Sequence, residues 1–182
     1  MSRTSFIVLP LLTSSFLFSA NVFADSPYLS AEIGGMRYGI CHETKATGRV
    51  AAGYSWDKND SLKYGLEIGL QAAPDSNCYK YAEHISLSMV SLDVFGVLDF
   101  YFHPNFDLFA KLGIATTREK SSSHYHQYHY SDVDYNTSVE AALGIGYNIY
   151  KHLNLNLTYY YDFGNQNYHH SFAMVGLKVP LF

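Results

Sequence analysis

One pattern limits this chain more than any other: apolar residues recur at every second position, segment after segment. In "LKYGLEIGLQ", Leu62, Tyr64, Leu66, Ile68 and Leu70 alternate with Lys63, Gly65, Glu67, Gly69 and Gln71. In "VSLDVFGVLDFYF", Val90, Leu92, Val94, Leu98, Phe100 and Phe102 alternate with Ser91, Asp93, Phe95, Val97, Asp99 and Tyr101. "TSVEAALGIGYNI" and "LNLNLTYYYD" repeat the pattern, with Tyr160 and Asp162 on the minor face of the second. An extended strand turns successive side chains to opposite faces, so each segment reads as a strand with one apolar face and one small or polar face. No segment sustains a 3.6-residue apolar period. The 17 Tyr and 12 Phe also suit strands better than helices.

Eight strands are expected, near 28–38, 48–56, 61–71, 87–102, 107–118, 135–149, 153–162 and 171–182. "DKND" (57–60), "HPNF" (103–106) and "YKH" (150–152) read as tight turns. The other connections, near 39–47, 72–86, 119–134 and 163–170, are longer and read as loops. Short turns at one end, long loops at the other and an even strand number are the layout of an outer-membrane barrel. Period two alone leaves open which face points outward. A lipocalin also has eight strands, but its apolar face lies inside. The minor face here is rich in Gly, Ala, Ser and Asn, which suits a narrow lumen. Tyr54, Trp56, Phe100, Phe102, Tyr147 and Tyr159 lie on the apolar face, most of them near strand ends, as interfacial girdles do. The expected fold is therefore all-β: an eight-stranded antiparallel up-and-down transmembrane β-barrel.

Residues 1–24 read as an export signal. Arg3 precedes an apolar run from Phe6 to Phe18, and "VFA" ends at Ala24. The run is short for a membrane-spanning helix, which needs about 20 residues. Residues 25–182 then form one barrel domain. Its formal charge is 11 − 16 = −5 with His neutral, which gives no support to nucleic-acid binding.

The signal, the opening "YLSAEIGGMRYG", the segment "SLDVFGVLDFYFHPNFDLFAKLGIA" and the end "GLKVPLF" together resemble the small outer-membrane β-barrel proteins of Gram-negative bacteria. That group includes the OmpA transmembrane domain and the OmpX and Opa-type surface proteins. The resemblance spans essentially all of 25–182. It implies residence in the outer membrane among lipid and lipopolysaccharide, and display of surface loops for adhesion, host interaction or envelope integrity. It also implies that Phe182 is read by the barrel-assembly machinery, although Pro180 interrupts the alternation leading to it. Two other readings stand beside it. One is a small porin or channel. The other is a lipid A-modifying enzyme, for which His169-His170-Ser171 offers a short His-x-Ser match. The expectation is that the chain is not an enzyme and carries no cofactor.

If the apolar face is outside, Glu32, Arg49, Lys63, Glu67, Asp93, Asp99, Lys111 and Glu140 face the lumen, with Lys178 beside them. Buried charges persist when paired, so these residues are expected to form an interior salt-bridge network. Cys41 and Cys78 fall in the first two long loops. An oxidising periplasm favours a disulfide between them. "SSSHYHQYHYSD" (121–132) falls in the third loop. Its His124, His126 and His129 are weak candidates for metal ligation, with no fourth ligand or ordered partner in view. The stretch reads first as a polar, aromatic-rich surface loop of the kind recognition uses, and beside that as a surface that gains charge when imidazoles protonate. The partners expected for these loops are ligands on host-cell surfaces.

Overall fold

The computed structural model describes residues 26–38, 44–59, 61–80, 83–125, 128–150, 153–164 and 170–181; for 38, 74–80, 83–87, 121–125, 128–131 and 150 it describes the backbone only. The strands are β1 (Ser26–Tyr38), β2 (Thr44–Asn59), β3 (Leu62–Lys80), β4 (Glu83–His103), β5 (Phe106–Tyr125), β6 (Tyr128–Tyr150), β7 (Leu153–Asp162) and β8 (His170–Pro180). Each pairs antiparallel with its sequence neighbours. β1 also pairs with β8, from Tyr28 opposite Pro180 to Tyr38 opposite His170, and this closes the barrel.

The alternation sorts the side chains as the sequence pattern implies. Leu66 is 56% exposed and Leu143 64%, whereas Glu67 and Ala142 beside them are 3% exposed each. The exposed stripes form an apolar outer band. Aromatic groups border it at the turn end: Trp56 lies against Tyr54 and Tyr64, with centroids 5.1 and 5.6 Å apart, and Phe106 against Tyr147 at 4.8 Å. Tyr161 and Phe163 meet edge-on at 4.9 Å at the opposite end. Pro104 and Asn105 form a tight turn as expected, and β2–β3 and β6–β7 are likewise joined by short connections; each of the three has a register shift beside it, at Asp57/Asn59, Tyr101/His103 and Asn148/Tyr150. Such bulges bend a strand locally and help it turn.

Two expected loops are not loops. Residues 72–86 belong mostly to a hairpin that runs out to Lys80 opposite Glu83, and 119–134 to one that reaches Tyr125 opposite Tyr128. Ser, Thr, Tyr and His keep a strand preference, but outside lipid neither face needs to be apolar. The alternation that marks a strand therefore fades while the pairing continues. β3, β4, β5 and β6 consequently form a four-stranded wall beyond the rest of the barrel. Phe182, the predicted assembly residue, lies outside the described residues.

The outer band yields a direct test. Leu66→Arg places a charge near the middle of the lipid-facing stripe of β3. It is expected to cost about 2–4 kcal/mol of folding stability in phospholipid vesicles, measured by denaturant titration.

Candidate functional site

Arg49 lies at the centre of the lumen, with its side chain 1% exposed. β2 carries it directly opposite Glu32 of β1. Its guanidinium grips Asp93 of β4 through two hydrogen bonds, Nε to Oδ2 at 3.0 Å and Nη2 to Oδ1 at 2.6 Å. It also lies 2.8 Å from Glu67 of β3 and 3.5 Å from Glu32. Lys111 of β5 completes the ring, 2.8 Å from Glu67 and 3.9 Å from Glu32.

Two phenols supply further donors. Tyr160 donates to Glu32 at 2.5 Å and accepts from Arg49 and Lys111 at 3.3 Å each. Tyr28 donates to Glu67 at 2.9 Å. The Arg49 guanidinium also stacks on Phe95 and Tyr160, 5.4 and 5.6 Å from the centroids. Room for this head group comes from Gly69: a Cβ there would strike the guanidinium and Asp93.

Toward the turn end, Lys178 pairs with Asp99 at 2.9 Å and sits 4.2 Å over the ring of Tyr28. Asn154 donates to Asp107 at 2.8 Å. These groups border a cavity of about 10 Å³, also lined by Ser30 and Asn156, with room for about one water molecule. Toward the hairpin end, Met36, Met174 and Phe172 are buried, and Phe172 stacks on Tyr160 at 4.7 Å. Beyond them His170 of β8 meets Glu119 of β5 at 2.9 Å. Among the described residues, buried and half-buried side chains occupy the interior from Asp107 and Lys178 at the turn end to His170 and Glu119 at the other.

Of the residues assigned to the lumen from sequence, Glu32, Arg49, Glu67, Asp93 and Lys111 come together in one cluster. Asp99 forms a separate pair with Lys178. Two more of the residues stand outside the cluster. Lys63 pairs at 3.0 Å with Asp57 beside the first turn, because the β2–β3 register sets these two opposite each other. Glu140 is 4% exposed but joins no ion pair among the described residues. Its cross-strand neighbours are Asp162 on β7 and Gly113 on β5, neither of which offers a donor; its Oε1 is buried without a hydrogen-bond partner among the described residues. Sequence reasoning missed Tyr28 and Tyr160 as members of the cluster. The available signal was their place on the inner parity of β1 and β7, where a phenol needs a buried partner.

His170 and Ser171 occupy successive positions on β8 and so lie on opposite faces; His170 is buried against Glu119. His169, Cys41 and His126 lie outside the described residues. Cys78, His124 and His129 are placed by their backbone alone, Cys78 opposite Ile85 and His124 opposite His129.

Closure, outer band and filled lumen define the class: a small eight-stranded outer-membrane barrel. The chain belongs to the outer membrane protein beta-barrel domain family, which it matches over residues 9–179. No curated protein matches it. Among solved structures it is similar to Ail, the attachment invasion locus protein of Yersinia pestis, in complex with the heparin analogue sucrose octasulfate. The identity is 12%, the TM-score is 0.61, and the match covers 86% of this chain and 97% of that one. It is also similar to a major outer membrane protein from Thermus thermophilus, with 11% identity, a TM-score of 0.57 and coverage of 87% and 100%. A third similar structure is the outer membrane enzyme PagL, with 15% identity, a TM-score of 0.52 and coverage of 85% and 99%. At these identities the likeness is one of fold, and the fold serves an enzyme as well as an attachment protein.

Removing the central cation tests the cluster. Arg49→Met leaves Glu32, Glu67 and Asp93 with Lys111 alone and is expected to destabilise the barrel by about 3–5 kcal/mol in denaturant titrations. Replacing Asp93 as well, with Leu, is expected to restore part of that loss, since the extra buried carboxylate goes with its partner.

Proposed function

We propose that this protein is an anchored display scaffold of the outer membrane, exported after cleavage of residues 1–24, whose surface hairpins carry adhesion, host interaction or envelope integrity. The observation that carries this reading is the filled lumen. Arg49, Lys111 and their partners occupy the cross-section, and the cavity beneath them is about 10 Å³. A solute path would have to displace paired buried charges. The functional surface then lies on the wall of β3 to β6 beyond the lipid band. Tyr135, 66% exposed there, offers the large rigid contact area that recognition surfaces use.

Ail, a protein of the same fold, is an attachment protein crystallised with a heparin analogue; by that analogy the ligands of these hairpins are host-surface molecules. Lipid and lipopolysaccharide surround the band, and the barrel-assembly machinery inserts the chain. No catalytic role is proposed. Of the short His-x-Ser match, His169 lies outside the described residues, and the intervening His170 is engaged with Glu119. We further propose a Cys41–Cys78 disulfide that ties the first connection to the β3–β4 hairpin.

The test is surface expression in a non-adherent Gram-negative strain. Replacing residues 121–132 with an Asn-Gly turn is expected to leave the unboiled barrel migrating faster than the boiled chain on a gel, while abolishing attachment to cultured host cells. Attachment that survives the trimming would sink the display reading for this hairpin. Reproducible conductance steps in planar bilayers would favour a channel, and altered lipid A masses in expressing cells would favour an enzyme. The disulfide predicts a mobility shift on reduction that Cys41→Ser removes.

A further inference from the structure

The His-rich stretch acquires a different composition once strand register is known. His124 of β5 lies directly opposite His129 of β6. On its other side, His124 lies directly opposite His84 of β4, forty residues earlier in the chain. Three histidines from three adjacent strands thus occupy one lateral row, close to the tips of both long hairpins.

Residues directly opposite in an antiparallel sheet lie on the same face. The parity of each strand identifies that face. Val90 and Leu92 on β4, Arg118 and Lys120 on β5, and Val133 and Tyr135 on β6 are exposed and share parity with the three histidines. The row therefore belongs to the face that continues the outer surface of the barrel. The next row on that face, one pleat toward the membrane, is Ser86, Ser122 and Ser131, small residues throughout. Neighbouring strands are about 4.8 Å apart, so the outer two positions are separated by roughly 10 Å across the central one. That span is short enough for one ion above β5 to serve all three strands.

We propose that this juxtaposition of His84, His124 and His129 marks a binding site for a divalent transition metal of the zinc, nickel or copper class. Neutral imidazole is a preferred ligand of these ions. Three protein ligands with an open fourth position make a site that keeps a water or takes a donor from a partner. The site joins both long hairpins through β4 and β5, so a bound ion would stiffen the wall on which display depends. This grouping differs from the one that the stretch suggests by itself. Spacing alone favours His124, His126 and His129; register replaces His126 with His84.

The difference decides the experiment. The mature chain, folded in detergent micelles, is titrated with Zn²⁺ and separately with Ni²⁺ by calorimetry. One site per chain is expected. His84→Ala and His129→Ala should each weaken binding by at least about tenfold, since even loss of an outer-shell partner commonly costs 10–100-fold. His126→Ala should change it by less than about threefold on the same scale. A Cys41→Ser/Cys78→Ser double variant should bind as the parent does, which separates imidazole from thiol ligation. Faster migration of each unboiled variant on a gel confirms that the barrel has folded. The proposal is overturned if the parent does not bind, if His84→Ala binds as tightly as the parent, if His126→Ala is as damaging as His84→Ala, or if the cysteine variant loses the metal.

Discussion

Everything in this molecule follows from the backbone's need for hydrogen bonds where no water can provide them. An unpaired amide in hydrocarbon costs several kcal/mol, so a sheet can cross a membrane only when it has no edge. The pairing of β1 with β8 removes the edge. Closure at eight strands then sets the width of the interior, which is just enough for side chains to fill. Outer residues become the greasy ones, and whatever is polar has to find partners within a narrow cylinder.

That second demand explains the character of the lumen. Moving one charge out of water into such a space costs several kcal/mol even after relaxation. The molecule spreads the cost by sharing. Arg49 touches three carboxylates, Glu67 meets both Arg49 and Lys111, and the Tyr160 hydroxyl links Glu32 to both cations. Glycine is part of the same solution. Gly69 leaves the volume that the guanidinium occupies, and Gly53 leaves the volume taken by the ring of Tyr28. The small residues that look featureless on the inner stripes are the complement of a few large polar ones. The interactions tie β1, β2, β3, β4, β5 and β7 across the axis, adding links between strands that the backbone ladder does not pair.

How much of this could be read from sequence depends on which physical quantity a feature reports. The alternation in Leu62–Leu70 or Val90–Phe102 reports burial against lipid, which depends on each strand alone, so strands, faces and barrel class were legible. Lumenal placement of Glu32, Arg49, Glu67, Asp93 and Lys111 followed from the same parity. Partner choice did not, because it depends on the stagger between strands. Glu140 has inner parity like the others, yet register sets it beside Asp162 and Gly113. The hairpins past residues 72 and 118 were hidden for the opposite reason: both faces are wet there, so pairing leaves no hydropathy signal. The juxtaposition of His84 with His124 combines both difficulties.

The wall that extends past the barrel reopens the problem that closure solved. Beyond Gly48 opposite Ala72, β3 has no strand partner on the β2 side among the described residues; beyond Val139, whose carbonyl accepts from Phe163, β6 has none on the β7 side among them. Bare edges of this kind invite pairing with other chains. Each edge carries its own obstruction. On β3, Pro74 falls within the register shift between Ala73 and Ser76, where it removes a donor and breaks the line of the strand. On β6, the Val139 carbonyl accepts from Phe163, the residue just after β7, so odd-numbered residues present their amides to the open side. There the Val133 amide donates to Asp132 and the Tyr135 amide to Asp134, each at 2.9 Å. With those donors occupied and two carboxylates alongside, an incoming strand would lose hydrogen bonds and meet charge. A partner is left with the faces of the wall rather than its edges. Recognition by this protein is then a matter of side chains held in register, and register is what an aligned pair of long hairpins supplies.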